Sequence, residues 1–159
     1  MWETSFVDPD NRRSVDFTLR THLLRELKKA EKAGKEALEK YLIDHQHLGA
    51  KKLYTLYRTL DCRNKFPRLF AEGEYIPLPT TGPLLAYLRR QDREYALIAI
   101  PLIRYDTPFT SPISLDLPSG IPTRWTNIFT KEIVDHPSRT VQWPEGLTDW
   151  PVMLLTAYL

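Results

Sequence analysis

A dense run of charged and polar residues lies near the N-terminus, in the segment "DPDNRR" (residues 8–13). Pro9 fixes its own φ angle and restricts the conformation of Asp8, so the segment predicts a turn. Asp10 or Asn11 can accept hydrogen bonds from the free amides of a following helix. Planar arginine donors beside carboxylates also suit bidentate pairing or the recognition of vicinal hydroxyl groups. From these residues alone two interpretations stay open, a capping turn, which is favoured, and a binding turn.

Histidine, the other residue type with ready chemistry, gives a weaker pattern. His45 and His47 are two positions apart, and such residues do not share a face of a helix. With Asp44 they would make at most a weak surface metal site, and a polar turn between two helices is the better interpretation. No Ser, Cys or His has the local setting of an activated nucleophile, and the six glycines form no phosphate-binding loop. We therefore predict neither a metal site nor a cofactor.

Tryptophan is the remaining candidate, since Trp125, Trp143 and Trp150 all lie in the second half of the chain. Such rings can stack on the faces of sugars, and they can equally fill the core of a sheet. Their spacing marks no groove for a ligand. Core filling is the favoured interpretation, and stacking stays open.

The composition limits the partners and the compartment. The chain has 159 residues, of which 22 are Lys or Arg and 20 are Asp or Glu, and its net charge of +2 does not favour nucleic acid or an anionic membrane. The single cysteine, Cys62, forms no internal disulfide and fits a reducing cytoplasm. The N-terminus lacks a signal peptide pattern, and the longest apolar stretch, "YALIAIPLI", is shorter than the ~20 residues of a spanning helix. We predict a soluble, cytoplasmic protein.

Apolar side chains recur at helical spacing in the first half of the chain. One face, expected to be buried, consists of Val15, Leu19, Leu23 and Leu27. We expect Ser14 or Asn11 to cap this helix and Gly34 to break its charged continuation. A second helix, ending before Pro67, has the i, i+3, i+4, i+7 pattern of a buried face at Leu53, Leu56, Tyr57 and Leu60.

Strand patterns follow Gly73, and most of the 13 prolines lie at Pro77 or beyond. The segments "LLAYLRR" and "EYALIAIPLI" predict a hairpin around "QDRE", and the second of them is apolar on both faces, as in a central strand. Further strands are predicted at residues 114–117, within "TRWTNIFTKEIV" and in "VMLLTAYL". The pattern predicts an α+β chain, with a helical segment over residues 1–74 and an antiparallel β domain, as a sheet or β-sandwich, over residues 75–159.

Taken with its surroundings, the charged turn has a more specific meaning. "FVDPDNRRSVDF" resembles the "DPDNRRPVDF" segment of maltooligosyltrehalose synthases, members of the α-amylase superfamily of glycoside hydrolases. Ser14 stands where that pattern usually has proline. The likeness continues in order through "KLYTLYRTL", "FPRLFAEGEYIPLPTTGP", "ALIAIPLI", "RWTNIFT" and "WPVMLL". The resemblance implies that this chain corresponds to a C-terminal portion of such an enzyme. The catalytic (β/α)8 barrel would then be absent from this chain.

The resemblance also implies a function. Maltooligosyltrehalose synthases are isomerases of trehalose biosynthesis that convert the reducing-end α-1,4 linkage of a maltooligosaccharide into an α,α-1,1 linkage. The superfamily uses a carboxylate nucleophile and a carboxylic general acid, both on the barrel. This chain would therefore hold no catalytic residue and would be inactive alone. Carried over by position, Asp8 and Arg12 become the residues expected to contact glucose, and Asp10, Asn11 and Arg13 would support the turn.

Two other hypotheses stay open at this stage. The chain could be a free-standing accessory module that binds α-glucan through its tryptophans, without catalysis. It could also be one part of a split enzyme whose barrel is a separate chain. The partners expected are a maltooligosaccharide or α-glucan, the catalytic barrel in cis or in trans, and a second copy of the chain if the apolar face of the first helix is uncovered.

Overall fold

The structure is a computed structural model that describes residues 15–102, 113–143 and 152–159. Helices come first: α1 (Phe17–Ala33), α2 (Lys35–Asp44), a 3-10 helix (Gln46–Leu48), α3 (Ala50–Lys65) and α4 (Pro67–Ala71). Strands follow: β1 (Glu74–Leu78), β2 (Leu84–Gln91), β3 (Glu94–Pro101), β4 (Ile113–Asp116), β5 (Arg124–Asn127), β6 (Ile133–Asp135), β7 (Thr140–Trp143) and β8 (Met153–Tyr158).

The chain forms two compact units, residues 1–60 and 61–159, and α3 runs across the division. The change from helix to strand falls later, between the end of α4 and the start of β1. The domain boundary predicted at residue 74 stays a prediction.

In the first unit, Asp16 caps α1. Its Oδ1 atom accepts a hydrogen bond from the amide of Leu19 at 2.8 Å, which is the usual bond from a cap side chain to the third helical residue. The expectation that Ser14 or Asn11 would cap this helix is wrong, because the helix begins two residues later than the apolar pattern indicated. The predicted break at Gly34 is confirmed, with φ of +124° at that residue.

The interior of the first unit combines apolar side chains with a few polar ties. The buried hydrophobic residues are Leu23, Leu27, Leu42, Ala50 and Tyr54. The Arg20 guanidinium donates a hydrogen bond to the carbonyl of Leu48 at 2.6 Å, and the Tyr41 hydroxyl donates one to the carbonyl of Leu23 at 3.1 Å. Burial of Leu23 and Leu27 confirms the predicted inner face of α1, whereas Val15 lies exposed before the helix begins.

The predicted second helix is confirmed as α3, which ends before Pro67, but its apolar pattern does not form the buried face. The helix turns Tyr54 and Thr55 inward, while Leu56 and Leu60 remain 50% and 58% exposed. The face of α3 that points inward is the one that brings Tyr54 and Arg58 towards Glu31 of α1. We call Leu53, Leu56 and Leu60 the leucine face.

In the second unit six strands form one antiparallel sheet in the order β1-β2-β3-β8-β5-β6. The predicted hairpin is confirmed, since Gln91 of β2 pairs with Glu94 of β3 across a turn in which Asp92 has φ of +52°. The central position of β3 is confirmed as well, because it lies between β2 and β8. The predicted strands near residues 114–117, in "TRWTNIFTKEIV" and in "VMLLTAYL" are also present.

Strands β4 and β7 pair in a separate two-stranded sheet, and both sheets contribute to one buried cluster. Members of the cluster include Leu88, Leu97, Leu115, Val141 and Leu155. The α+β class with an antiparallel sheet is thus confirmed, and the described residues contain no (β/α)8 barrel. The sandwich arrangement stays a prediction.

Candidate functional site

The turn predicted to contact sugar precedes α1 directly. Asp8 and Arg12, with the supporting residues Asp10, Asn11 and Arg13, lie outside the described residues. Description begins at Val15, two residues before the first turn of α1. The first described element after these residues is α1.

Polar contacts tie α1 to the rest of the first unit near both of its ends. In its first turn, Arg20 bonds to the Leu48 carbonyl. Near its end, the Glu31 carboxylate lies 3.4 Å from the guanidinium of Arg58, and these side chains are only 10% and 11% exposed. Because loss of one partner leaves a buried charge uncompensated, this ion pair fixes how α1 packs on α3.

Tyr54 completes the polar cluster beside this ion pair. Its side chain is 1% exposed. Burial, reinforced by the negative charge of Glu31, raises the pKa of its hydroxyl to about 12. The phenol therefore stays neutral through the physiological range, and the cluster serves to hold two helices together.

One of the three tryptophans considered for stacking on sugars is buried in the core. Trp125 on β5 is 1% exposed and belongs to the sheet cluster, so it fills the core as the favoured interpretation predicted. Its ring cannot stack on a sugar from that position. Trp143 lies on β7, and Trp150 lies outside the described residues.

The histidine pair has a structural setting. The His45 ring stacks on Tyr41 with 4.2 Å between the ring centroids, and its Nδ1 atom lies 3.0 Å from the Tyr41 carbonyl oxygen. His47 is exposed in the short 3-10 helix that connects α2 and α3. The interpretation as a polar turn between helices is confirmed. Within the described ranges no group of three metal-binding side chains occurs.

The segment "LFAEGEY", which carries much of the resemblance, forms a joint between α4 and the sheet. A Cβ atom on Gly73 would lie 2.3 Å from the carbonyl oxygen of Leu69 and 3.0 Å from that of Arg90, so only glycine fits without a shift. Arg89 bonds to the carbonyls of Leu69 and Phe70. The sequence marked Gly73 only as the residue after which strand patterns begin, and a lone glycine before a strand gave no sign of this close approach.

These observations define the class of protein: a helical unit followed by a mostly antiparallel β unit. No family model matches the chain. Among the described helices, none is both long and apolar enough to cross a membrane.

Curated and solved relatives specify the class further. Proteins named "Putative maltooligosyl trehalose synthase" in two strains of Mycobacterium tuberculosis, CDC 1551 / Oshkosh and ATCC 25618 / H37Rv, are each 28% identical over 158 residues. The match covers 98% of this chain and 17% of the relative, so the chain spans about one sixth of the curated relatives' length.

Solved structures agree with this match. The maltooligosyltrehalose synthase from Arthrobacter ramosus is 25% identical with a TM-score of 0.59, and the match covers 97% of this chain and 18% of that one. A hypothetical maltooligosyl trehalose synthase from Sulfolobus tokodaii, at 23% identity and a TM-score of 0.56, shares the fold over 94% of this chain and 16% of its own. The predicted resemblance is confirmed: nearly the whole chain is similar to one portion of a maltooligosyltrehalose synthase.

Proposed function

We propose that this chain is the C-terminal region of a maltooligosyltrehalose synthase and that it carries one edge of the sugar site. The observation that supports this most strongly is the match along nearly the whole chain to about one sixth of such enzymes. The complete enzyme would rearrange the reducing-end α-1,4 bond of a maltooligosaccharide to an α,α-1,1 bond, as an isomerase in trehalose biosynthesis.

In this proposal the chemistry belongs to the barrel. A barrel carboxylate would displace the terminal glucose and hold the oligosaccharide covalently, while a carboxylic acid gives its proton to the departing oxygen. The anomeric hydroxyl of that glucose would then attack the anomeric carbon of the intermediate. The bond to the barrel carboxylate would break, and the hydroxyl proton would return to the carboxylate that had served as the acid. This chain would supply no carboxylate to either step and would be inactive alone.

Asp8 and Arg12 would bind the sugar. A carboxylate accepts hydrogen bonds from sugar hydroxyls and a guanidinium donates them, and charge-assisted bonds of this kind are stronger than neutral ones. The contacts of Arg20 and Glu31 support this role, because they hold the helix that follows the turn. The barrel, in cis or in trans, and the maltooligosaccharide are the proposed partners. The single cysteine, whose thiol is buried, agrees with the proposed cytoplasmic location.

The test assays this chain with the barrel portion, on the same or a separate polypeptide, using maltohexaose. We expect Asp8→Asn and Arg12→Met each to lower kcat/KM by about 10- to 100-fold, the cost of a charged hydrogen bond. Arg124→Met and Asp135→Asn, on exposed positions of β5 and β6, are the matched controls.

Two results would contradict the proposal. One is an activity of the turn variants equal to that of the controls. The other is formation of a non-reducing, trehalose-ended product by this chain alone, because the proposal assigns it no catalytic carboxylate.

A further inference from the structure

A shallow groove runs along the outer side of α1. It encloses about 370 Å³ and is lined by Thr21, Leu24, Arg25, Lys28, Lys29 and Lys32. Four of these six side chains are cations and none is an anion. Glu26, beside the groove, pairs with Lys29 at 2.8 Å and with Arg25 at 3.5 Å, so one carboxylate is shared by two of the cations. The rim therefore keeps an excess of positive charge.

The groove adjoins the leucine face of α3. Lys28 Nζ lies 4.7 Å from the centroid of the Tyr57 ring, which joins the two helices at the edge of the groove. Helical spacing places Tyr57 between the inward residue Tyr54 and the exposed Leu60, three positions away on either side. One continuous surface results, with basic side chains on α1 and exposed leucines on α3.

We propose that this surface docks an acidic amphipathic helix. An apolar stripe would cover the leucine face, and the carboxylates on its flank would meet the lysines of the groove, which is the usual way an amphipathic helix binds a hydrophobic groove. The source of the helix rests on the proposed function: it would belong to the larger part of the enzyme, since this chain spans 17% of its curated relatives.

Charge distinguishes this occupant from a second copy of the chain. A symmetric dimer through this surface would bring the lysines of one copy close to those of the other, and like charges at an interface oppose binding. An acidic helix replaces that repulsion by attraction. The exposed leucines alone would fit either an acidic helix or a second copy of the chain. The positive charge of the groove is therefore the observation that favours the acidic helix.

The test uses two synthetic helical peptides of about 18 residues, long enough to follow both helices for five turns. Both have the same leucine stripe, and their polar faces are built from glutamate in one and lysine in the other. Fluorescence anisotropy measures their binding to this chain. We expect the glutamate peptide to bind about tenfold more tightly at low salt, and we expect high salt to reduce the difference.

Variants separate the two parts of the surface. Leu56→Gln with Leu60→Gln should weaken both peptides, whereas Lys28→Gln with Lys32→Gln should weaken only the glutamate peptide. Leu85→Gln and Lys40→Gln are the matched controls, because both side chains are exposed on other elements. Circular dichroism confirms that each variant folds.

Equal binding of the two peptides, or no binding, would overturn the proposal. So would self-association of the chain that Leu56→Gln with Leu60→Gln abolishes, because it would assign the surface to a second copy. The sugar assay tests the proposed function separately from the docking surface. If the Asp8 and Arg12 variants behave as expected while the peptides do not bind, only the docking surface is wrong. If the glutamate peptide binds and those variants resemble the controls, only the sugar role is wrong.

Discussion

Arg89 on β2 reaches the end of α4, where its Nε atom lies 3.3 Å from the carbonyl oxygen of Leu69. A second bond, from its terminal nitrogen to the Phe70 carbonyl, measures 3.1 Å. The last carbonyls of a helix have no partner within the helix, so a side chain that satisfies two of them stabilises the helix end. This contact joins the last helix to the sheet.

We therefore expect Arg89→Met to lower the free energy of unfolding by about 1–3 kcal/mol, because two partly buried carbonyls lose a charged donor. Urea unfolding of the chain measures the change. Arg90→Met is the matched control: Arg90 is exposed and pairs with Glu74 at the surface, where an ion pair contributes less than about 1 kcal/mol. Equal losses in the two variants would show that Arg89 has no special role at the joint.

Gly73→Ala tests the close backbone approach at the same joint between α4 and the sheet. The added methyl group would meet the carbonyl oxygen of Leu69 at 2.3 Å, and backbone cannot move aside as the end of a side chain can. We expect a loss of about 1–3 kcal/mol in the free energy of unfolding, typical of overpacking. Glu72→Ala, at the neighbouring exposed position, should change stability by less than about 0.5 kcal/mol. An alanine variant as stable as the parent would exclude the close approach.

The ion pair between Glu31 and Arg58 predicts a non-additive pair of mutations. Glu31→Leu or Arg58→Met alone leaves an uncompensated buried charge and should cost about 3–5 kcal/mol. Together the two substitutions remove both charges and should recover most of that loss. A double-mutant cycle in thermal or urea unfolding measures the coupling. Costs that simply add would show that the two side chains do not interact.

Tyr54 predicts a dependence of stability on alkaline pH. Folding raises the pKa of its hydroxyl from 10.0 to about 12, so the folded state retains the proton after the unfolded state has lost it. The stabilising contribution is complete below pH 10 and is lost as the pH rises from about 10 to about 12. At its largest it amounts to roughly 2–3 kcal/mol.

Comparison of the parent chain with Tyr54→Phe isolates this effect from the other tyrosines and the lysines. The difference in free energy of unfolding between the two proteins should shrink between pH 9 and pH 12, because phenylalanine has no proton to lose. Tyr158→Phe, at an exposed position, is the control for the loss of a phenol hydroxyl. A Tyr54→Phe difference that stays constant from pH 9 to pH 12 would argue against a buried neutral phenol.

The strands were the most predictable part of the fold. The hairpin of β2 and β3 could be predicted because one strand is apolar on both faces and the turn between them is polar. The short strands β1 and β7 were not singled out, because β1 includes Pro77 and β7 spans four residues. Strands of that kind depend on pairing with neighbours that are distant in sequence.

The inward face of α3 was predicted wrongly for a physical reason. Leu53, Leu56 and Leu60 have the stronger apolar spacing, but that spacing cannot show which surface is covered within this chain. The buried contact between Glu31 and Arg58 joins residues 27 positions apart on separate helices, and no local pattern reveals it. Leu56 and Leu60 of this stripe are exposed, so the apolar spacing alone does not show which face of a helix is buried.

The candidate site could be predicted only by resemblance. The residues of the turn by themselves fit a cap as well as a sugar contact, and the cap proved to be Asp16. The roles of Asp8 and Arg12 stay predictions, since both lie outside the described residues. Burial of Trp125 shows the opposite case, in which a residue type suited to binding serves the core.

The position of β8 in the sheet sets the order in which the second unit can be completed during synthesis. β8 is the only described strand that joins β3 to β5, so the sheet consists of two separate pieces until residues 153–158 have been made. The first unit, by contrast, can fold as soon as its own helices have emerged, because domains generally fold as units, N-terminal first. Deletion of residues 153–158 would therefore leave the edges of β3 and β5 that β8 covers open to pairing with other chains.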